Sequence, residues 1–172
     1  GDGIGVEVTA TALVVLDVLA AKMGGFRFAW RHFSGGAGAY RDTGVALSDE
    51  TMKALELADG ILFGAMGLPD IRYPDGTEIA PQLDIRVNLD LYAGVRPIRT
   101  IAGLPSPLSD PRAAGVDFVL IREQTEGLFY ARGRGQVISD QEARDTMRIT
   151  RKSSERAFDF ALRLAERRKE RG

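Results

Sequence analysis

The apolar positions of the chain change period along its length, and each period predicts an element. After three alternating glycines, GDGIGVEVTATALVVLDVLAAKM turns helical, with Val8, Ala12, Val15, Leu16 and Leu19 on one face. Gly24-Gly25 ends that helix. In FRFAWRHF, Phe26, Phe28 and Trp30 alternate with Arg27 and Arg31, the period of a strand, and SGGAGAYRDTG then reads as loop. Ser48 is placed to cap a helix over SDETMKALELA, with Asp49 and Glu50 in its first turn. GILFGAMG reads as a short buried strand entering a glycine loop, and LPDIRYPDGTEIAP is irregular. Val116 to Ile121 predicts a further strand, EGLFYARGRGQ a loop and RDTMRITR a strand. SSERAFDFALRLAERR is an amphipathic helix capped by Ser153 or Ser154, with Ala157, Ala161 and Leu164 inward. One segment has two readings. Leu83, Ile85, Val87, Leu89 and Leu91 alternate as in a strand, whereas Pro81 and an Arg86–Asp90 pair at i,i+4 suit a helix.

Strands alternating with helices predict an α/β fold with a largely parallel sheet. A length of 172 residues allows one or two domains. A net charge of −1 gives no basic field for nucleic acid or an anionic membrane, and the basic end RLAERRKERG suits a helix C-terminus. The chain has no cysteine, which excludes disulfides, thiolate catalysis and cysteine-held zinc and fits a cytoplasmic protein. A single histidine, His32, excludes multi-histidine metal sites, so any metal would be a hard ion held by carboxylates. No apolar run approaches the roughly 20 residues that span a bilayer.

Three arginines stand where core residues are expected. Arg86 and Arg96 lie ten residues apart among apolar neighbours, and Arg122 directly follows the strand FVLI. An arginine at a strand's carboxyl end offers bidentate hydrogen bonds to a carboxylate. The competing reading for Arg122 is a salt bridge to Glu123, Asp117 or another chain. Three such arginines outside any charge run favour a polycarboxylate site. FGAMGLPD, following a strand, lies where ligands bind in open α/β sheets, or is a simple turn. GDGIG before a helix suits an anion or a tight turn, and its spacing is not the dinucleotide fingerprint.

Together GDGIGVEV, ILFGAMGLPD, LDIRVNLDLYAGVRPIR, FVLIREQTEG and RITRKSSERAFDFALRLAERR resemble the isocitrate and isopropylmalate dehydrogenase family, the NAD(P)-dependent β-decarboxylating dehydrogenases. The resemblance implies a two-domain α/β fold of which this chain is the N-terminal portion. Residues 1–90 would belong to the cofactor-side domain and 91–172 to the dimer-forming domain. It implies that Arg86, Arg96 and Arg122 clasp a small polycarboxylate and that residues 83–91 are helical. Loop 64–80, with Gly67, Leu68 and Glu78, would approach the nicotinamide of NAD, as would Ile4. The reaction implied is hydride transfer to NAD or NADP, followed by loss of CO2 with Mg2+ or Mn2+ as Lewis acid. The metal ligands and a catalytic lysine are expected outside this chain, so the 172 residues alone are expected to be inactive.

Two features depart from the family pattern. Phe129 stands where the family has its proton-donating tyrosine, leaving the neighbouring Tyr130 as the candidate acid, and Val6 replaces a proline. Ala80 and Gln82 stand where isocitrate-specific members carry Ser and Asn. The substrate expected is therefore a 3-substituted malate: 3-isopropylmalate first, then tartrate or D-malate. A homodimer is implied, with no nucleic-acid or membrane partner. Phe129 motivates the alternative, a non-catalytic homologue that binds a dicarboxylate or serves in oligomerisation.

Overall fold

In the computed structural model, which describes residues 1–169, the first helix, α1 (Ile4–Met23), starts at the glycine turn, with Gly3 at φ 51° as its N-cap. Gly5 fixes its rotation. A Cβ there would collide with the Ala65 carbonyl oxygen, so only glycine permits this approach. Thr9, Ala12, Leu13, Leu16 and Ala20 consequently form the more protected face. Val8, Val15 and Leu19, expected to face inward, are exposed instead. The helix is apolar on nearly every side, so periodicity had no single stripe to select. It also corrects the expectation about apolar length: the helix is 20 residues long and holds an 18-residue stretch of mean hydropathy 2.0, enough by length and composition to cross a membrane.

The chain divides into two compact units, Gly1–Ile85 and the part from Arg86 on. In the first, residues 26–33 keep the expected alternation. The Phe28 and Trp30 rings stack at 4.7 Å, and Trp30 Nε1 donates to Asp17 at 2.8 Å. Neither this segment nor 61–66 is a strand, because among the described residues no neighbour takes up their backbone groups in a ladder. The predicted loop SGGAGAYRDTG contains α2 (Ala37–Thr43), and α3 (Asp49–Glu56) follows. Ser48 caps α3 as expected, its Oγ accepting from Thr51 N at 3.1 Å. Ser48→Ala is expected to destabilise the first unit by about 1 kcal/mol in urea unfolding. Ala37, Ala46 and Ile79 form the core, flanked by Tyr40, Leu68, Ile71 and Tyr73.

Residues 81–88 form a helix, α4 (Pro81–Asn88), with Pro81 and Ile85 buried. The Arg86–Asp90 pair does not form, because the helix has already ended. Asp90 adopts φ 48°, Asp90 N donates to Val87 O, and Leu91 N reaches back to Arg86 O at 2.8 Å. This is a Schellman turn with aspartate where glycine is usual.

The second unit is built on β1 (Ala93–Arg99) and β2 (Asp117–Glu123), paired antiparallel. Pro97 inside β1 masks it as a strand, though proline is tolerated at an edge. A small hairpin follows, β3 (Gln136–Val137) with β4 (Ala143–Arg144). All named ladders among the described residues are antiparallel, not parallel as alternation of elements suggested. The last helix, α5 (Arg151–Lys169), packs against β2. Ser153 and Ser154 lie within its first turn. The cap is Thr150, whose Oγ1 accepts from Ser153 N and whose carbonyl accepts from Ser154 N. Ala157 is buried and Ala161 and Leu164 half-buried, as expected. Residues 170–172 of the basic end lie outside the described residues.

Candidate functional site

The antiparallel register assigns every β1 and β2 side chain to a face. Gly94 lies opposite Arg122 and Arg96 opposite Leu120, and directly opposed residues share a face. Arg96 and Arg122 are therefore diagonal neighbours on one side of the ladder. The other side carries Val119, Ile121 and Asp117, and there Arg168 of α5 donates to Asp117. The side with Arg96 and Arg122 is the open one, as the exposure of Phe118 and Leu120 shows. The backbone of Arg86 is tied to the Arg122 end of the same ladder. Its carbonyl receives Leu91 N, the Leu91 carbonyl receives Gln124 Nε2 at 3.3 Å, and Gln124 N donates to Tyr92 O.

None of the three arginines has an ion-pair partner among the described residues. The two acids considered for Arg122 are engaged elsewhere. Asp117 pairs with Arg168. The Glu123 carboxylate folds forward to accept from Thr125 N at 3.0 Å, from Thr125 Oγ1 and from Glu126 N at 2.8 Å. Glu126 is buried and accepts from Thr150 N at 2.8 Å and Thr150 Oγ1 at 2.9 Å. The Thr150 backbone N–H holds its carboxyl below the ordinary range, outweighing burial, with help from the Thr150 hydroxyl and Arg148. REQTEG is thus a scaffold: its acids shape the turn, and Gly127 at φ 70° completes it.

A 3-10 turn at Leu128–Ala131 sends the next two rings to different cations. The Arg122 guanidinium lies 5.5 Å from the Phe129 ring centroid. Tyr130 instead meets Arg148 at 3.9 Å and Arg134 at 5.2 Å. Phe129, not Tyr130, is the aromatic residue brought to Arg122.

In the first unit, one carboxylate organises the loops bearing the cofactor candidates. Asp2 Oδ2 accepts from Ala37 N at 2.7 Å and Gly67 N at 3.0 Å, and Oδ1 from Gly38 N at 2.9 Å. Burial raises its carboxyl, but the three backbone donors from Gly67, Gly38 and Ala37 together bring it below the ordinary range. Gly67 sits at φ 116°, and a Cβ there would lie 3.4 Å from Glu78 Oε1. A Cβ on Gly3 would lie 3.8 Å from Leu68 Cδ2, beside the exposed Ile4. Gly67, Leu68 and Glu78 thus gather around the start of α1. The roomy cleft of this unit, ≈ 880 Å³ and lined by apolar residues such as Leu13, Leu16 and Phe63 together with Arg27, Arg31 and His32, contains none of them. No cluster of three acidic, histidine or cysteine residues able to hold a metal exists among the described residues.

The sequence model of isocitrate/isopropylmalate dehydrogenase matches residues 1–171. The chain belongs to the isocitrate/isopropylmalate dehydrogenase family. A 3-isopropylmalate dehydrogenase of Staphylococcus haemolyticus (strain JCSC1435) is 35% identical over 171 residues, covering 98% of this chain and 49% of the relative. Isocitrate dehydrogenase from Methylococcus capsulatus superposes with a TM-score of 0.68 at 27% identity, over 98% of this chain and 46% of that one. A β-decarboxylating dehydrogenase from Thermococcus kodakarensis gives 0.67 at 29% identity, over 98% and 44%. The chain therefore has the α/β fold of this family and spans about half the length of the relatives it matches.

Asp2 and Arg156 were not singled out from the sequence, and Asp90 entered only as a helical partner for Arg86. Asp2 left one signal: the glycines of SGGAG, where Cβ atoms at positions 36 and 38 would press on its carboxylate.

Proposed function

We propose that this family member contributes the substrate-gripping half of an NAD-dependent oxidative decarboxylation of a 3-substituted malate, with 3-isopropylmalate as the first candidate and tartrate and D-malate next. The observation that carries this reading is the shared face of Arg96 and Arg122, with no acid among the described residues paired to either. Guanidinium groups left free beside a strand end are the donors a dicarboxylate needs. Arg86 is the third donor. The substrate's carboxylates are held by these arginines, which orients its hydroxyl-bearing carbon.

Residues 1–90 are assigned to the cofactor side and 91–172 to the side that forms a homodimer. Ile4, Gly67, Leu68 and Glu78 suit the nicotinamide end of NAD or NADP: an exposed apolar side chain, a glycine edge and a carboxylate lie close together. When bound, the cofactor supplies the hydride acceptor. For Mg2+ or Mn2+ the described residues provide no ligand cluster. Protonation of the enol product cannot come from Phe129, a phenyl ring, and Tyr130 is engaged with Arg148. This favours a second reading, a dicarboxylate-binding homologue without turnover.

The 172-residue chain is expected to bind 3-isopropylmalate without reducing NAD. Calorimetric titration with 3-isopropylmalate, D-malate, tartrate and the monocarboxylate 2-hydroxy-4-methylpentanoate tests the binding. The dicarboxylates should bind at least about tenfold more tightly than the monocarboxylate. Equal affinity for both kinds would remove the clamp. Following NADH absorbance with added Mg2+ tests the second part, and steady reduction would contradict it.

A further inference from the structure

We infer that Arg156 is a positioning residue for the arginine clamp, acting through Asp90, Tyr92 and Thr125. The inference rests on the proposed dicarboxylate site and adds to it the element that sets its geometry. Arg156 projects from α5 and is only 24% exposed. Its Nη1 donates to Asp90 Oδ2 at 2.6 Å and its Nη2 to Asp90 Oδ1 at 2.9 Å, a bidentate grip. Nη2 also donates to Thr125 Oγ1 at 3.2 Å, and the guanidinium lies 4.3 Å from the Tyr92 ring centroid.

These contacts fall at the two points that decide where the clamp arginines sit. Asp90 is the left-handed residue of the Schellman turn whose closing bond runs from Leu91 N to the Arg86 carbonyl. Thr125 belongs to the turn that closes over Glu123, directly after Arg122. Tyr92 lies between them, its carbonyl taking Gln124 N. One planar guanidinium thus joins the end of α4, the start of β1 and the turn after β2. Aspartate is an unfavourable choice for a left-handed backbone when glycine is available. Its carboxylate is what the arginine requires, which gives the choice a reason beyond the turn.

A purely structural role and a positioning role make different predictions for Asp90→Gly. Glycine relaxes the turn but removes the carboxylate, so the fold is retained while the grip is lost. Arg156→Lys keeps the charge and cannot bind Asp90 and Thr125 together. Both variants are expected to weaken 3-isopropylmalate binding to the 172-residue chain by about tenfold. In the ligand-free chain, hydrogen exchange at the Leu91 and Gln124 amides should accelerate by a similar factor, with the melting temperature of Asp90→Gly at or near that of the parent.

Unchanged affinity in Asp90→Gly and Arg156→Lys overturns the inference, whether or not exchange accelerates. Unchanged exchange at both amides overturns it as well. The site reading is checked separately in the same titrations with the parent chain and Arg122→Gln. A parent chain that does not bind, or an Arg122→Gln chain that binds equally well, defeats the site itself. A site that passes that control while the Asp90 and Arg156 variants bind normally defeats only the positioning role.

Discussion

Arg122→Gln is expected to weaken 3-isopropylmalate binding about a hundredfold, because truncating one partner of a desolvated, hydrogen-bonded charge pair costs roughly 2–5 kcal/mol. Arg99→Gln, on the same ladder, is expected to change it less than about twofold, the usual limit for a distant exposed charge. The comparison isolates geometry from charge. Both substitutions remove one positive charge, but Arg99 lies opposite Asp117 on the face turned to α5, whereas Arg122 shares the open face with Arg96. Glutamine is chosen because it keeps a polar stem over Phe129 and leaves no cavity. Calorimetric titration of the two variants side by side gives the ratio. If Arg99→Gln and Arg122→Gln lose affinity equally, the ligand responds to net charge, and the face assignment carries no function.

The second large effect concerns stability. Asp2→Ala leaves the buried Ala37 N–H and the half-buried Gly38 and Gly67 N–H groups without their acceptor. An acceptor removed from a buried charged network costs about 3 kcal/mol or more, a large part of a domain's stability. The single tryptophan, Trp30, reports on this unit, so its fluorescence during urea unfolding measures the loss. A carboxyl whose folded pKa is lowered contributes stability above its unfolded value, and that stability disappears as pH falls through the folded value. The parent's urea midpoint should therefore hold at neutral pH and decline below about pH 4, the ordinary aspartate range. In Asp2→Ala the midpoint starts lower and loses that part of the acid decline. Equal midpoints for parent and variant at neutral pH would show that the three donors find water instead.

Elements were legible where one local rule dominated. Ser48 with two acids behind it, and the run FVLI, are complete signals in themselves. The face of α1 was not legible, because nearly every position is apolar and the decision rests on Gly5 meeting Ala65, sixty residues on. α2 was hidden in a glycine-rich stretch whose order depends on an aspartate 35 residues earlier. Leu83 to Leu91 alternates for short-range reasons, yet the helix forms with Pro81 in its first turn and Ile85 buried. At the candidate site, three arginines among apolar neighbours were visible as anomalies, and so was Phe129. What holds them was not visible. A carboxylate whose partners are backbone N–H groups, like Asp2, leaves no pairing pattern in side-chain identities. Asp90 and Arg156 are 66 residues apart and look like ordinary surface charges.

The clamp is tested most directly by a double-mutant cycle on Arg96 and Arg122, read as 3-isopropylmalate affinity by calorimetry. Two guanidiniums gripping one dicarboxylate are coupled, so each single glutamine variant should lose most of the affinity and the double variant little more. Losses that simply add, or a parent chain that takes up no 3-isopropylmalate, would contradict the shared site.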